Sequence, residues 1–469
     1  MKFFSNQFST ALEMTLIIDS SRRRNDKINK NDIPTGVYAE RSRSARMKIM
    51  QTETTYYPTL DAVKNASEAI KEVVTQTPLM QSFTYSKKYD ATILLKREDL
   101  QQVRSYKIRG AYNKMSSLSS VAKTKGIVCA SAGNHAQGVA FACAKLQIHG
   151  TIYMPMPTPS QKVEQVKLFG GDWIKVVLEG DTFDDAFAKA NTCCLEEGKT
   201  FVHPFDDEKI IEGQATVGLE IIKQSTTPLD YVFVPIGGGG LSAGLSTVFH
   251  LLSPDTKVIG VEPAGAPAMK SSIERGQNTT LSDIDKFVDG AAVQRVGERN
   301  FKICRQFLDQ VVTVQEGEVC QTILDLYNRD AIVVEPAGAL TLAVLDQFAD
   351  KIKGKHVACV VSGSNNDITR TAEIKERALL HRGLKHYFIV RFPQRAGALK
   401  EFVAEVLGPD DDITHFEYSK RTSREQGPAV VGIQLKKVTD LEPLVNRMHA
   451  RKFFGDYLND KPDLFQFLV

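Results

Sequence analysis

Four short stretches carry residues whose types and order could do chemistry. Gly237-Gly238-Gly239-Gly240 follows the apolar run 231–235 and precedes a helix expected from about Leu241. Consecutive N–H groups without side chains can close around a phosphate, and the positive end of a helix dipole strengthens such a site. A bare turn accounts poorly for four glycines, because each loses much chain entropy on folding. The loop lacks both the G-K-[ST] ending of a nucleoside-triphosphate loop and the G-x-G-x-x-G spacing of a dinucleotide site. Ser131-Ala132-Gly133-Asn134-His135-Ala136-Gln137-Gly138 sets small and polar residues at a second strand end. It offers backbone donors for a carboxylate and an amide side chain for an oxygen. Ser362-Gly363-Ser364-Asn365-Asn366 repeats that arrangement after Val361. Lys107, in Ser105-Tyr106-Lys107-Ile108-Arg109-Gly110, would alone read as a solvated surface charge; the other three motifs give it weight.

A competing pattern overlaps the glycines. Gly240-Leu241-Ser242-Ala243-Gly244 fits G-x-S-x-G, the nucleophile elbow of α/β-hydrolases. An elbow needs one sharp turn, whereas Ser242 follows four glycines and is expected inside the first helical turn. The phosphate reading therefore ranks above a serine hydrolase using Ser242.

Taken in order and spacing, the four motifs resemble the fold-type II pyridoxal-phosphate enzymes, and among them the threonine dehydratases (threonine ammonia-lyases), over residues 51–380. The resemblance continues past residue 380, where Arg391-Phe392-Pro393 and Ala396-Gly397-Ala398-Leu399 look like the ACT-like regulatory domain of the biosynthetic enzymes. It implies a tryptophan synthase β-like body of two α/β subdomains and pyridoxal 5′-phosphate as cofactor. Lys107 would form the Schiff base, and Asn134 would hydrogen-bond the cofactor's 3′-hydroxyl. Gly237, Gly238, Gly239, Gly240 and Leu241 would hold its phosphate, and Ser362 would meet the pyridine nitrogen. Backbone donors among Ser131, Gly133, Asn134 and His135 would hold the substrate carboxylate. A serine rather than an aspartate at the pyridine nitrogen leaves the ring largely neutral, which favours β-elimination over transamination. The freed Lys107 amine could take the α-proton. The implied reaction converts L-threonine to 2-oxobutanoate and ammonia, the first step of isoleucine biosynthesis, with isoleucine as effector.

Three departures bear on that reading. The family usually has Phe where this chain has Tyr106, so the hydroxyl needs a partner. Related serine racemases place a serine at the position of Ala132 to reprotonate the opposite face; alanine there argues for a dehydratase. Racemases also bind a metal through a Glu followed by acidic residues, whereas Glu262 is followed by Pro-Ala-Gly-Ala-Pro-Ala-Met. No metal is expected. The rival readings are a serine or catabolic threonine dehydratase, against which the long C-terminal module argues, and a non-catalytic amino-acid sensor, against which Lys107 argues.

The motifs need strand ends to stand on. Apolar runs at 126–130, 150–154, 231–235, 257–261 and 356–361 alternate with amphipathic stretches. Buried strands alternating with helices imply a parallel or mostly parallel sheet covered on both faces, with ligands at the carboxyl ends of strands. After residue 380 the pattern becomes βαββαβ, a ferredoxin-like α+β module. Strands are expected at 386–392, 413–422, 428–437 and 463–469, and helices at 398–407 and 441–450. The domains are thus residues 1–50, a disordered extension or upstream stretch; 51–380, the catalytic body; and 381–469, the regulatory module.

Bulk properties exclude several classes. Of the +3 net charge, residues 1–50 carry ten basic and five acidic side chains, which leaves the body slightly negative and gives no reason to expect nucleic acid. No apolar run reaches the length of a membrane span, and no secretory signal is evident. Seven scattered cysteines without a C-x-x-C pair read as reduced thiols of a cytoplasmic protein. The family resemblance further implies a homo-oligomer, tetramer or dimer.

Overall fold

The computed structural model describes residues 56–418 and 426–461. The expectations for residues 1–50 and for a strand at 463–469 lie outside them.

Two sheets carry the body. In the larger, the strands Leu79–Gln81, Thr92–Arg97, His356–Val361, Tyr231–Pro235, Lys257–Pro263 and Gln310–Val314 lie side by side in that order. The first pair is antiparallel and the rest are parallel. The smaller sheet orders Ile174–Leu178, Gly150–Met154, Ile127–Ala130 and Thr200–Phe201, all parallel. Every residue of Ile127–Ala130 is buried, as a strand covered on both faces requires. The body thus divides its strands between two sheets, and the motifs sit at the carboxyl ends of strands from both. Ser131 follows a strand of the smaller sheet; Gly237 and Ser362 follow strands of the larger.

Some helices start where side chains take up free N–H groups. Asp207 accepts from the N–H groups of Lys209 and Ile210 at the head of Glu208–Gln224. Thr182 and Asp185 form a reciprocal capping box at the head of Phe183–Glu197. Others lack such a cap, among them Asn134–Leu146 and Gly240–Leu252. These two begin inside the motifs singled out above.

The module after the body is an antiparallel sheet ordered Asp412–Tyr418, Gln426–Gln434, Lys385–Pro393 and Phe454–Tyr457. Phe388, Phe402, Val431, Ile433, Leu444 and Met448 fill its core, and the helix Leu441–Ala450 stands where expected. Two details differ from expectation. The helix at Ala398–Glu401 widens into a π-turn over Phe402–Val406; Leu407 N–H reaches back to the Phe402 carbonyl, and Phe402 and Val406 are both fully buried. A strand at Phe454–Tyr457, not expected from the sequence, is the last element among the described residues. Its short half-polar sequence hid it, and the backbone approaches closely there: a Cβ on Gly455 would lie 2.4 Å from the Ile389 carbonyl oxygen.

Candidate active site

Lys107 opens the helix Lys107–Ser116. Just before it, Ser105 bridges to Gly363 and the Tyr106 N–H donates to the Ser362 carbonyl at 3.2 Å. The lysine and Ser362 loops are therefore joined. Two residues on, the buried Arg109 donates to Glu98 at 2.8 Å and to Glu220 at 2.7 Å, and the buried Lys96 also reaches Glu220. Two cations shared between two carboxylates leave no charge unpaired in the interior, so this network pins the Lys107 helix without a stranded ion. The Lys107 amine donates to the Pro204 carbonyl at 2.9 Å. Burial lowers its pKa to about 8, against the pull of the Glu335 carboxylate. The Tyr106 ring lies 5.4 Å from that amine. Its hydroxyl, for which a partner was expected, has none among the described residues.

Pro204 leads into Phe205, which packs against the glycine loop. A Cβ on Gly238 would lie 2.2 Å from the Phe205 ring, and one on Gly240 would lie 2.9 Å from the Phe205 carbonyl oxygen. Gly239 has φ +91°, which an L side chain rarely adopts. Asn300 braces the loop by donating to the carbonyls of Gly238 at 2.7 Å and Phe205 at 3.1 Å. Among the described residues nothing accepts from the N–H groups of Gly237, Gly238, Gly239, Gly240 and Leu241. Five open donors at an uncapped helix start fit a phosphate. Ser242 lies within the first helical turn, fully buried, and donates to the Gly239 carbonyl at 3.0 Å. A hydroxyl closed from solvent and spent on its own loop is no nucleophile, so the hydrolase reading is set aside.

The helix Asn134–Leu146 presents a second uncapped start. Of the expected carboxylate donors, the Ser131 N–H goes to the Tyr153 carbonyl at 3.0 Å and the Gly133 N–H to the Ser131 hydroxyl at 3.3 Å. The N–H groups of Asn134 and His135, in the first helical turn, stay open. The His135 ring turns inward, bonded to the Val202 carbonyl at 2.9 Å, and burial pushes its pKa down to about 3. It is a neutral structural group. The helix packs tightly on the lysine: a Cβ on Gly138 would come within 3.2 Å of Lys107 backbone.

Asn134 meets two groups. Its Nδ2 donates to Glu335 at 2.7 Å and its Oδ1 accepts from Asn365 at 2.6 Å. Ser362 is buried, and its hydroxyl has no hydrogen-bond partner among the described residues. Lys107, Asn134, Ser362 and the glycine loop are thus tied together through Pro204–Phe205, Glu335 and Gly363. Open phosphate donors, a free hydroxyl and a lysine of lowered pKa fit pyridoxal phosphate.

Sequence reasoning missed two parts of this site. One is the turn His203-Pro204-Phe205-Asp206, where His203 Nδ1 accepts from Asp206 N–H at 2.8 Å. The other is Glu335, a buried carboxylate with its pKa raised to about 7, by burial first and by Asp289 second. The available signal was a lone acid between the apolar stretch 332–334 and Pro336. Glu262, the residue weighed for a metal, caps its own chain instead, accepting from the N–H groups of Met269 and Lys270 at 2.7 and 2.9 Å. Among the described residues no His, Cys, Asp and Glu cluster could hold a metal ion, and no helix is long and apolar enough to cross a membrane.

Comparison with known proteins gives the same picture. Residues 70–363 match the pyridoxal-phosphate dependent enzyme family, and residues 376–468 match the C-terminal regulatory domain of threonine dehydratase. The biosynthetic L-threonine dehydratase of Halalkalibacterium halodurans is 54% identical over 86% of this chain and 97% of its own. The processed form of threonine deaminase isoform 2 from Solanum lycopersicum superposes with a TM-score of 0.65 at 39% identity, over 69% of this chain and 95% of its own. Maize serine racemase superposes with a TM-score of 0.64 at 29% identity, over 70% of this chain and 99% of its own. The fold is therefore shared by dehydratases and racemases, while the sequence sides with the former. The chain belongs to the pyridoxal-phosphate dependent enzyme family and, within it, to the threonine dehydratases that carry a C-terminal regulatory domain.

Proposed function

We infer that the chain eliminates water from L-threonine, that hydrolysis of the resulting enamine through its imine takes up water and releases ammonia and 2-oxobutanoate at the first step of isoleucine biosynthesis, and that Lys107 holds its cofactor. The observation that carries the reading is the place of Lys107, between the open donors of the glycine loop and the amide of Asn134. Bound there, pyridoxal phosphate supplies an electron sink for the Cα–H bond of the amino acid. The protein's own groups do the rest. The N–H groups of Gly237 to Leu241 take the phosphate, and Ser362 offers the ring nitrogen a neutral hydrogen bond. The open N–H groups of Asn134 and His135 orient the substrate carboxylate. The Lys107 amine, with its pKa lowered to about 8, is neutral often enough near pH 7 to accept the α-proton. Ala132 has no hydroxyl with which to return a proton to the other face. An absorption spectrum taken with threonine added, followed by a keto-acid assay, tests the reading. A bound-cofactor band that shifts with 2-oxobutanoate release is expected; a spectrum inert to threonine would refute it. Serine, one methyl smaller, is the rival substrate, and the ratio of the two kcat/KM values ranks them.

Regulation by isoleucine is the second part of the reading. A cavity of about 320 Å³ in the module is lined by Phe392, Gln394, Arg395, Leu399, Phe416 and Tyr418. An apolar wall, a guanidinium and the amide of Gln394, which has no hydrogen-bond partner among the described residues, suit a small aliphatic amino acid. The helix Thr371–His381 links this module to the body. Glu376 accepts from Tyr387 at 2.8 Å and Lys385 at 3.1 Å on the module side. On the body side Arg377 and Arg370 stack on Phe287 at 4.4 and 4.8 Å, three residues before Gly290, which lies against Glu335. The strand Asp412–Tyr418 forms one edge of its sheet and is available to pair with a neighbouring subunit in a dimer or tetramer. The seven free cysteines fit a cytoplasmic setting. Truncation after Arg382 should preserve threonine turnover and abolish an isoleucine response, which for such couplings is about 5–150-fold. Undiminished inhibition of the truncated protein would place the effector site in the body.

A further inference from the structure

The buried carboxylate of Glu335 belongs to no motif and no step above, yet it touches the centre of the site. It ends the chain segment before the helix Pro336–Ala343 and is almost wholly buried. Its nearest partner is the Asn134 amide, whose Nδ2 donates to Oε1 at 2.7 Å. The Asn365 backbone N–H also donates to this carboxylate. The Asn365 side chain, held by the Val103 carbonyl at 2.9 Å, donates to the other end of the Asn134 amide at 2.6 Å. Asn134 is thus gripped at both ends: oxygen by Asn365, nitrogen by Glu335. An amide so held cannot flip, and its second N–H is left to donate elsewhere.

The surroundings are shaped for this carboxylate. A Cβ on Gly363 would lie 2.5 Å from Oε1, and one on Gly290 would lie 3.4 Å from it. The glycine of the Ser362-Gly363-Ser364 motif is therefore the residue that makes room for Glu335. The groups facing it are Lys107 and Tyr106 from one side and Asp289 with its partner Lys162 from another. Among these, the Lys107 amine is the cation through which its charge reaches the reacting atoms.

We propose that Glu335 is a positioning residue for the elimination, locking the Asn134 amide as a donor to the cofactor's 3′-oxygen and placing a titratable negative charge beside Lys107. This rests on the reading of Lys107 and Asn134 given above. Ionised, Glu335 accepts from two donors and supports positive charge at the lysine nitrogen. Protonated, it carries a hydrogen of its own, and both effects weaken. Burial raises its pKa to about 7, so the change falls in the working range.

The test is Glu335→Gln, which keeps size and removes charge. The threonine pH profile, the absorption of the bound cofactor against pH, and spectrophotometric titration of the cofactor-free protein with pyridoxal phosphate are compared with the parent. We expect kcat to fall about tenfold or more, KM to change less than about threefold, and the acid limb near pH 7 to disappear. The pH midpoint of the cofactor band should shift in step. A variant that binds cofactor and keeps the parent's kcat and acid limb overturns the proposal. If neither protein binds the cofactor or turns over threonine, the reading of the site fails instead. Should Glu335→Gln not fold, Asn365→Ala cuts the other grip on Asn134 and keeps the charge. It should lower kcat and retain the acid limb, and an unchanged kcat there equally overturns the proposal.

Discussion

At Gly238, in the glycine loop of the body, an added methyl would lie 2.2 Å from the Phe205 ring; at Gly397, in the turn lining the module's cavity, it would meet nothing within 4 Å. Both glycines sit in loops proposed to bind a ligand, and they are there for different reasons. In the body the backbone N–H groups are the proposed phosphate-binding surface, and Phe205, Asn300 and the chain at 290–291 press against the loop. In the module Gly397 only supplies a positive φ of +81°, and the cavity is walled by side chains. The same contrast holds for charge. The body holds Lys107, Glu335 and His135 in surroundings that strongly displace their pKa values. Arg395 of the module's cavity stays at the surface, paired with Glu401. One region is pre-organised for a reaction, the other is open enough to respond.

Two substitutions sharpen this contrast. The larger effect is expected from Gly238→Ala. Overpacking of a closed site costs about 1–3 kcal/mol, and because the displaced groups are the proposed phosphate donors, cofactor affinity should drop about tenfold or more. Spectrophotometric titration of the cofactor-free protein measures it; unchanged affinity would mean that the loop is not the phosphate site. The smaller effect is expected from Gly397→Ala. A left-handed alanine costs about 1 kcal/mol, visible as a lower midpoint of thermal unfolding, with cofactor affinity and basal threonine turnover unchanged. If the two variants lose cofactor affinity equally, the division of labour between the regions is wrong.

The contrast also explains what could be read from the sequence. Sites made of backbone leave glycines and small polar residues in a row, so the loop at Gly237, the stretch at Ser131 and the stretch at Ser362 stood out before any coordinates. The strands 150–154, 231–235 and 356–361 were equally plain, because apolar runs end in those loops. Glu335 was not legible. A single acid before a proline carries no pattern, and only the chain crossing that sets Gly363 and Gly290 against its carboxylate makes it part of the site. The His203–Asp206 turn was missed for a similar reason: its role is to present one carbonyl to Lys107 and one ring to Gly238. In the module, the strand Phe454–Tyr457 has neither alternation nor a strongly apolar face; register with the neighbouring Lys385–Pro393, rather than composition, defines it. The engagement of the Ser131 and Gly133 donors inside the protein could likewise be seen only once the backbone was placed.

Lys107 is the residue proposed to carry the cofactor and move the α-proton. The most direct measurement is reduction of the cofactor-loaded protein with borohydride, followed by proteolysis and mapping of the phosphopyridoxyl group. The label should fall on Lys107, and Lys107→Ala should be both unlabelled there and inactive toward threonine. A label on another lysine, or Lys107→Ala protein that still releases 2-oxobutanoate, would contradict it.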